Sequence, residues 1–220
     1  MSILILGGTG RTGKLLVQES LSAGHEVHVL VRDIANIPFE ATQPNLKLFE
    51  GNPKNIHDLK KALTGCEYVI NTLNISRISD FPWAKLRTPP TLLSTSVNNI
   101  VHLSSSLPIK KVVICSAWGV AESRDHIPFW FKWLIANSNI NAAYIDHQRQ
   151  EEILKSSTLD WVIVRPVGLS NGSKKQQIKV SFSNSPRPSL TVNRISVAHF
   201  LLNALSDEDL IGKIPVISAQ

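Results

Sequence analysis

Gly7-Gly8-Thr9-Gly10-Arg11-Thr12-Gly13 stands between an apolar run and a helical pattern, and it governs how the rest of the chain is read. Before it, Ser2-Ile3-Leu4-Ile5-Leu6 is short, apolar and partly β-branched, as a buried strand should be. After it, Lys14 to Ala23 spaces its leucines as a helix does. Glycines at such a junction let the backbone turn sharply and approach a diphosphate closely. The following helix offers unpaired N–H donors and the positive end of its dipole. A glycine-rich turn alone is a weak signal, because many loops contain one. After the first strand of an α/β pattern it predicts a dinucleotide site.

The order of segments supplies that pattern. Strands are expected at Glu26–Val31, Leu46–Glu50, Tyr68–Leu73, Lys111–Ser116 and Trp161–Val164, with helices at Ile56–Leu63, Thr91–Leu107 and Asn141–Ser156 between them. Strands separated by helix-length crossovers pair in parallel, and near-continuous apolar runs suit strands covered on both faces. The expected fold is therefore α/β, a doubly wound parallel sheet of the Rossmann type. At 220 residues the chain fits a single domain, 1–220. Its core is expected over about 1–165. A small C-terminal extension, about 166–220, would carry a strand at Gln177–Phe182, a helix at Ile195–Leu205 and a strand at Ile214–Ile217. Such pieces are expected beyond the carboxyl ends of the main strands, where they shape a substrate site. Trp161 is expected in the core.

Composition narrows the function classes. Net charge is +6, from 23 basic and 17 acidic residues, but the basic residues form no sustained stripe, so no nucleic acid partner is expected. A cleft for a polyanionic cofactor explains the excess more simply. No apolar run is long enough to span a bilayer, and no membrane association is expected. The N-terminus shows no basic leader, so the expected location is cytoplasmic. Cys66 and Cys115 lack metal-ligand spacing and read as reduced packing residues, with no metal site.

The second strand ends Val31-Arg32-Asp33, where the adenosine ribose lies in this architecture. Arg32 can pair with a 2′-phosphate, and Arg11 could approach the same phosphate from the glycine turn. NADP(H) is therefore expected over NAD(H). In the competing reading Arg32 is solvated, and Asp33 binds a 2′-hydroxyl or caps the next turn.

These segments, together with Leu159-Asp160-Trp161-Val162-Ile163-Val164-Arg165-Pro166, resemble the atypical short-chain dehydrogenases, specifically the NAD(P)H-binding, NmrA-like group that includes biliverdin-IXβ/flavin reductase. The resemblance implies that Asn52, at a position usually held by aspartate, contacts adenine. It also places Thr72, Leu73 and Ser116 beside the cofactor, and Pro166-Val167-Gly168 near the nicotinamide carboxamide. Typical members use Tyr-x-x-x-Lys, in which lysine lowers the tyrosine pKa. Here Tyr144 is followed by Gln148, which cannot supply that charge.

A conjugated acceptor can take hydride without such a pair. The expected function is accordingly an NADPH-dependent reductase of a flavin, quinone or similar planar small molecule. Asp146 and His147 would then be candidate proton handlers, with a surface helix position as the plain alternative for His147. Ser116 could bond a substrate oxygen or merely end its strand. Between Trp118 and Asn139, the cluster Phe129, Trp130, Phe131 and Trp133 is read three ways: a wall for a flat substrate, a buried helix, or a subunit contact within 128–133. The alternative function is a non-catalytic NADP(H)-binding redox sensor acting through a protein partner.

Overall fold

The computed structural model describes residues 1–220. Its apolar runs form β1 (Ser2–Leu6), β2 (Glu26–Val31), β3 (Leu46–Glu50), β4 (Tyr68–Asn71), β5 (Lys111–Cys115) and β6 (Asp160–Pro166). Between them run α1 (Gly13–Ser22), α2 (Ile56–Leu63), α3 (Leu92–Leu103), α4 (Phe129–Ala136) and α5 (Asn141–Lys155). The C-terminal part adds β7 (Gly168–Ser170), β8 (Ile178–Ser181), β9 (Thr191–Asn193), α6 (Arg194–Asn203) and β10 (Val216–Ala219). The main sheet has the order β3-β2-β1-β4-β5-β6-β10-β8, and β8 alone runs antiparallel, against β10. Strand order reverses between β1 and β4, so the crevice at their carboxyl ends is the switch point where open α/β sheets bind ligands.

Side-chain alternation divides β1 between two cores. Ile3 and Ile5 join Val27, Val29, Val162 and Val164 under α1 and α6, whereas Leu4 and Leu6 join Val112, Ile114 and Ile163 under α2, α3 and α5. Each such side chain, fully buried, contributes about 1.5–3 kcal/mol. Both faces of the sheet are thus covered, which is why its strands read as unbroken apolar runs. No helix is long and apolar enough to cross a membrane.

The C-terminal part departs from expectation. Val216 and Ile217 pair with Arg165 and Pro166, so β10 continues the sheet beside β6. Helix α6 packs on α1 and places Val197, Ala198 and Leu201 in the larger core. Residues 166–220 therefore complete the domain rather than extend it, and only the β7–β9 pair stands apart. The aromatic segment forms a helix, but not a buried one. Phe129, Trp130 and Trp133 are 82%, 63% and 54% exposed, and α4 is anchored through Ile135. Trp161 is only half-buried, packed on the rim of the smaller core. Cys66 and Cys115 are free thiols, pushed up to about 12 by burial and hence protonated.

Candidate functional site

The glycine turn is compressed between β1, β4 and α1. Gly7 takes φ +78°, and a Cβ there would stand 2.8 Å from the Thr72 carbonyl carbon. A Cβ at Gly13 would lie 2.0 Å from the Gly7 carbonyl oxygen, and one at Gly8 2.5 Å from Val29 Cγ1. Gly10 N–H closes the turn on the Gly7 carbonyl at 2.9 Å. Thr72 supports it from β4, its amide and its hydroxyl both donating to the Leu6 carbonyl at 2.9 Å. Leu73 N–H donates to Asn71 Oδ1. Helix α2 is capped by Asn55 and α6 by Asn193, but α1 begins at Thr12 without any side-chain cap. Lys14 and Leu15 N–H already donate to the Gly10 and Thr12 carbonyls, so the amides of Arg11, Thr12 and Gly13, which have no backbone acceptor, are the natural donors for an anion.

The residues expected to select the nucleotide are arranged differently from expectation. Arg11 does not converge with Arg32. It is clasped bidentately by Asp80, at 3.0 and 3.1 Å, from the connection between β4 and α3. Arg32 is exposed at the end of β2. Asp33 caps the short turn at 34–36, accepting from Ala35 N–H at 2.9 Å and from the Asn36 side chain at 2.6 Å. Asn52 uses its side-chain oxygen to accept Lys54 N–H at 3.0 Å, which leaves its exposed amide nitrogen as a donor.

Ser116 follows β5 at the carboxyl edge, its N–H fixed to the Val164 carbonyl at 2.7 Å. Its hydroxyl donates to Glu151 Oε1 at 2.5 Å. Glu151, on α5 and fully buried, also receives Arg165 Nε at 3.0 Å and Nη2 at 2.6 Å. The other side of Arg165 meets Glu122, whose side chain is 66% exposed. Burial opposes the charge on Arg165, but the two carboxylates outweigh it and raise its pKa. Burial likewise works against ionised Glu122, and the Arg165 guanidinium reverses that effect and lowers its pKa. Ser116 thus has its proton committed and can still accept a hydrogen bond. Pro166 and Val167 are buried at the end of β6, with Val167 N–H held by the Ile217 carbonyl and Gly168 N–H by that of Leu190.

Helix α5 corrects the expected proton handlers. Asp146 is fully buried and caps α3, accepting Leu93 N–H at 2.7 Å and the Ser94 hydroxyl at 2.5 Å. His147 lies neither at the surface nor in an open cleft. It is 4% exposed, with Nδ1 2.7 Å from the Gln150 amide, and burial pushes it down to about 4. Tyr144 donates to the Trp118 carbonyl, and burial pushes its hydroxyl well above the ordinary phenol range. Gln148 is exposed and bonds Glu152. Sequence reasoning passed over Glu151, Asp80 and Arg194. The signal for Glu151 was Arg165 itself, a cation ending an apolar strand and so in need of a buried carboxylate.

Two measurements check this reading. Glu151→Ala should lower unfolding stability by about 3–5 kcal/mol, because it strands a buried guanidinium. Glu122→Ala, at the exposed end, should cost less than about 1 kcal/mol. Equal urea-midpoint shifts would contradict the arrangement. For His147, the unfolded chain binds a proton between pH 6.5 and 4 that the folded chain refuses. Its contribution is therefore whole above the upper value and lost as pH falls through that window, about 3 kcal/mol in all. His147→Gln should flatten that part of the stability profile, and an unaltered slope would refute the assignment.

Comparison with known proteins agrees with the geometry. A family model described as NAD(P)H-binding matches residues 7–208. A short-chain dehydrogenase/reductase from Veillonella parvula, solved in complex with NADP, superposes with a TM-score of 0.80 at 19% identity, over 99% of this chain and 94% of that one. ChuY, an anaerobillin reductase from Escherichia coli, gives 0.79 at 15% identity over 100% and 97%. Likeness at these identities shows the fold. Among curated relatives, a photosystem II assembly factor from Cyanophora paradoxa is 26% identical over 78% of this chain and 47% of its own length. An oxidoreductase from Pestalotiopsis microspora is 27% identical over 76% and 66%. The match thus spans less than half of one relative's length and about two thirds of the other's. With the family model covering nearly all of its residues and the glycine turn built as described, the chain belongs to the NAD(P)H-binding family of Rossmann-fold proteins.

Proposed function

We propose that the protein is an NADPH-dependent reductase passing hydride to a flavin, quinone or similar conjugated acceptor. The cofactor fits the residues present. The space beside Gly13 admits no Cβ, and the uncapped start of α1 suits a diphosphate. Gly7, Gly8, Thr9, Gly10, Thr12 and Gly13 would hold that diphosphate, and Arg11 would border it. Thr72, Leu73, Ser116, Pro166 and Val167 would line the nicotinamide end. Bound there, the nicotinamide supplies the hydride.

The carrying observation is that α5 offers no group poised to move a proton near neutral pH. Reducing a ketone calls for an acid matched to ambient pH. Tyr144, raised by burial and bonded to a backbone carbonyl, is not matched, and neither is His147 at about 4. Asp146 is occupied by α3. A conjugated ring accepts hydride directly and draws its proton from water, so the chain's work is placement and exclusion of solvent. Ser116, whose hydroxyl donates its hydrogen bond to Glu151, would orient an N–H of the acceptor or carboxamide rather than protonate an oxygen.

Selection of NADPH rests on Arg32, since Asp33 is spent on its own turn. The redox-sensor reading keeps one supporting observation, the exposed aromatic face of α4, which suits a partner protein.

Purified protein with NADPH and a panel of flavins and quinones should consume NADPH well above background, followed by nicotinamide absorbance. Silence with every acceptor would leave the sensor reading. Arg32→Ala should weaken NADPH by about 10- to 100-fold in calorimetric titration and leave NADH nearly unchanged. Equal weakening of the two would overturn the selectivity assignment.

A further inference from the structure

Two arginines are buried in this protein, and they are treated differently. Arg165 meets two carboxylates. Arg194, the first residue of α6 and only 9% exposed, has no carboxylate within salt-bridge distance. Its one side-chain partner is neutral, Asn171 Oδ1, 2.7 Å from Nη1. A buried charge normally carries a counter-charge, because losing water is costly to it. Burial, and then the charge of Arg11, lower the Arg194 pKa, so a second guanidinium lies within electrostatic range of it.

One carboxylate, Asp80, is felt electrostatically by Arg194, but its hydrogen bonds go to Arg11. Asp80 sits on a connection stiffened by its own bonds, Ile78 N–H to the Lys85 carbonyl at 3.0 Å and Ser76 N–H to Thr88 Oγ1 at 2.8 Å. It grips Arg11 bidentately while remaining exposed itself. Arg11 follows β1, Asn171 follows β7 just beyond the end of β6, and Arg194 follows β9. The group therefore lies beyond the carboxyl end of β1, between the glycine turn and the β7–β9 pair.

We propose that Arg194, with Arg11, forms an anion subsite that receives the carboxylate or phosphate of the acceptor, and that Asp80 competes for Arg11 as a built-in rival anion. That the ligand is the hydride acceptor rests on the reductase reading, but the subsite is defined by binding alone. A planar acceptor would then be selected by an acid group at its edge as well as by its ring. The cofactor diphosphate is the other anion that could claim these guanidiniums, and the test separates the two.

Protein saturated with NADP⁺ has its diphosphate position filled. Inorganic phosphate added to that complex should raise its Tm by several degrees over chloride of equal ionic strength. FMN should quench and bind at least about tenfold more tightly than riboflavin, which lacks only the phosphate. Arg194→Gln should abolish both effects while leaving the NADP⁺ affinity within about twofold, and Arg194→Lys should retain part of them. Asp80→Asn, an exposed change that does not threaten folding, should strengthen phosphate binding by removing the competitor. A phosphate effect that vanishes once NADP⁺ is bound, or a large loss of NADP⁺ affinity in Arg194→Gln, would assign the arginines to the cofactor and overturn the proposal. So would equal binding of FMN and riboflavin, or no response of Asp80→Asn to phosphate. None of these readouts needs turnover, so a protein that oxidises no NADPH would remove the reductase reading while the subsite is still judged on binding.

Discussion

The placement of the site depends on one close approach, that of Gly13 to the carbonyl of Gly7. A methyl group in place of the Gly13 hydrogen would stand 2.0 Å from that oxygen, inside any tolerable contact. Only a bare α-carbon lets α1 descend onto the end of β1, and only that descent points its uncapped amides into the crevice between β1 and β4. The left-handed Gly7 is squeezed against Thr72 in the same way, so β4 and the turn fix each other. The crevice is thus a consequence of backbone packed on backbone, without relying on any long side chain.

Farther along the sheet, polar groups turned inward do the positioning. Helix α5 sends Asp146, His147, Gln150 and Glu151 into the protein, where they cap α3, bond one another and anchor Arg165. An ion pair buried this way adds little net stability compared with well-packed apolar residues, yet removing one partner is costly. Its value here lies in orientation, because the same carboxylate that neutralises Arg165 also sets the direction of the Ser116 hydroxyl.

The sheet was legible in the sequence because strands covered on both faces carry unbroken apolar runs, from Ile3-Leu4-Ile5-Leu6 to Val162-Ile163-Val164. The glycine turn was legible for the steric reason just given. Helix α4 was harder to read, since Phe-Trp-Phe-Lys-Trp-Leu-Ile-Ala is apolar at every position but Lys132 and shows no stripe. Hydropathy also misled on α5, whose Asp, His, Gln and Glu residues look solvent-facing until α3 is brought against them. The clasp between Arg11 and Asp80 joins residues 69 apart, and no local pattern announces such a pair. Residues 166–220 were misplaced for a similar reason, because the seat of β10 is set by its register with β6 rather than by its own four residues.

That seat has a bearing on how the molecule is made. Because β10 lies between β6 and β8, the distal third of the sheet has no continuous hydrogen-bond ladder until residues 216–219 have been synthesised. On the ribosome, β6 must wait with one edge bare while some fifty residues still to come are added. A nascent chain stalled in that interval would expose an unpaired parallel strand, and this is the stage at which chaperone attendance would matter most.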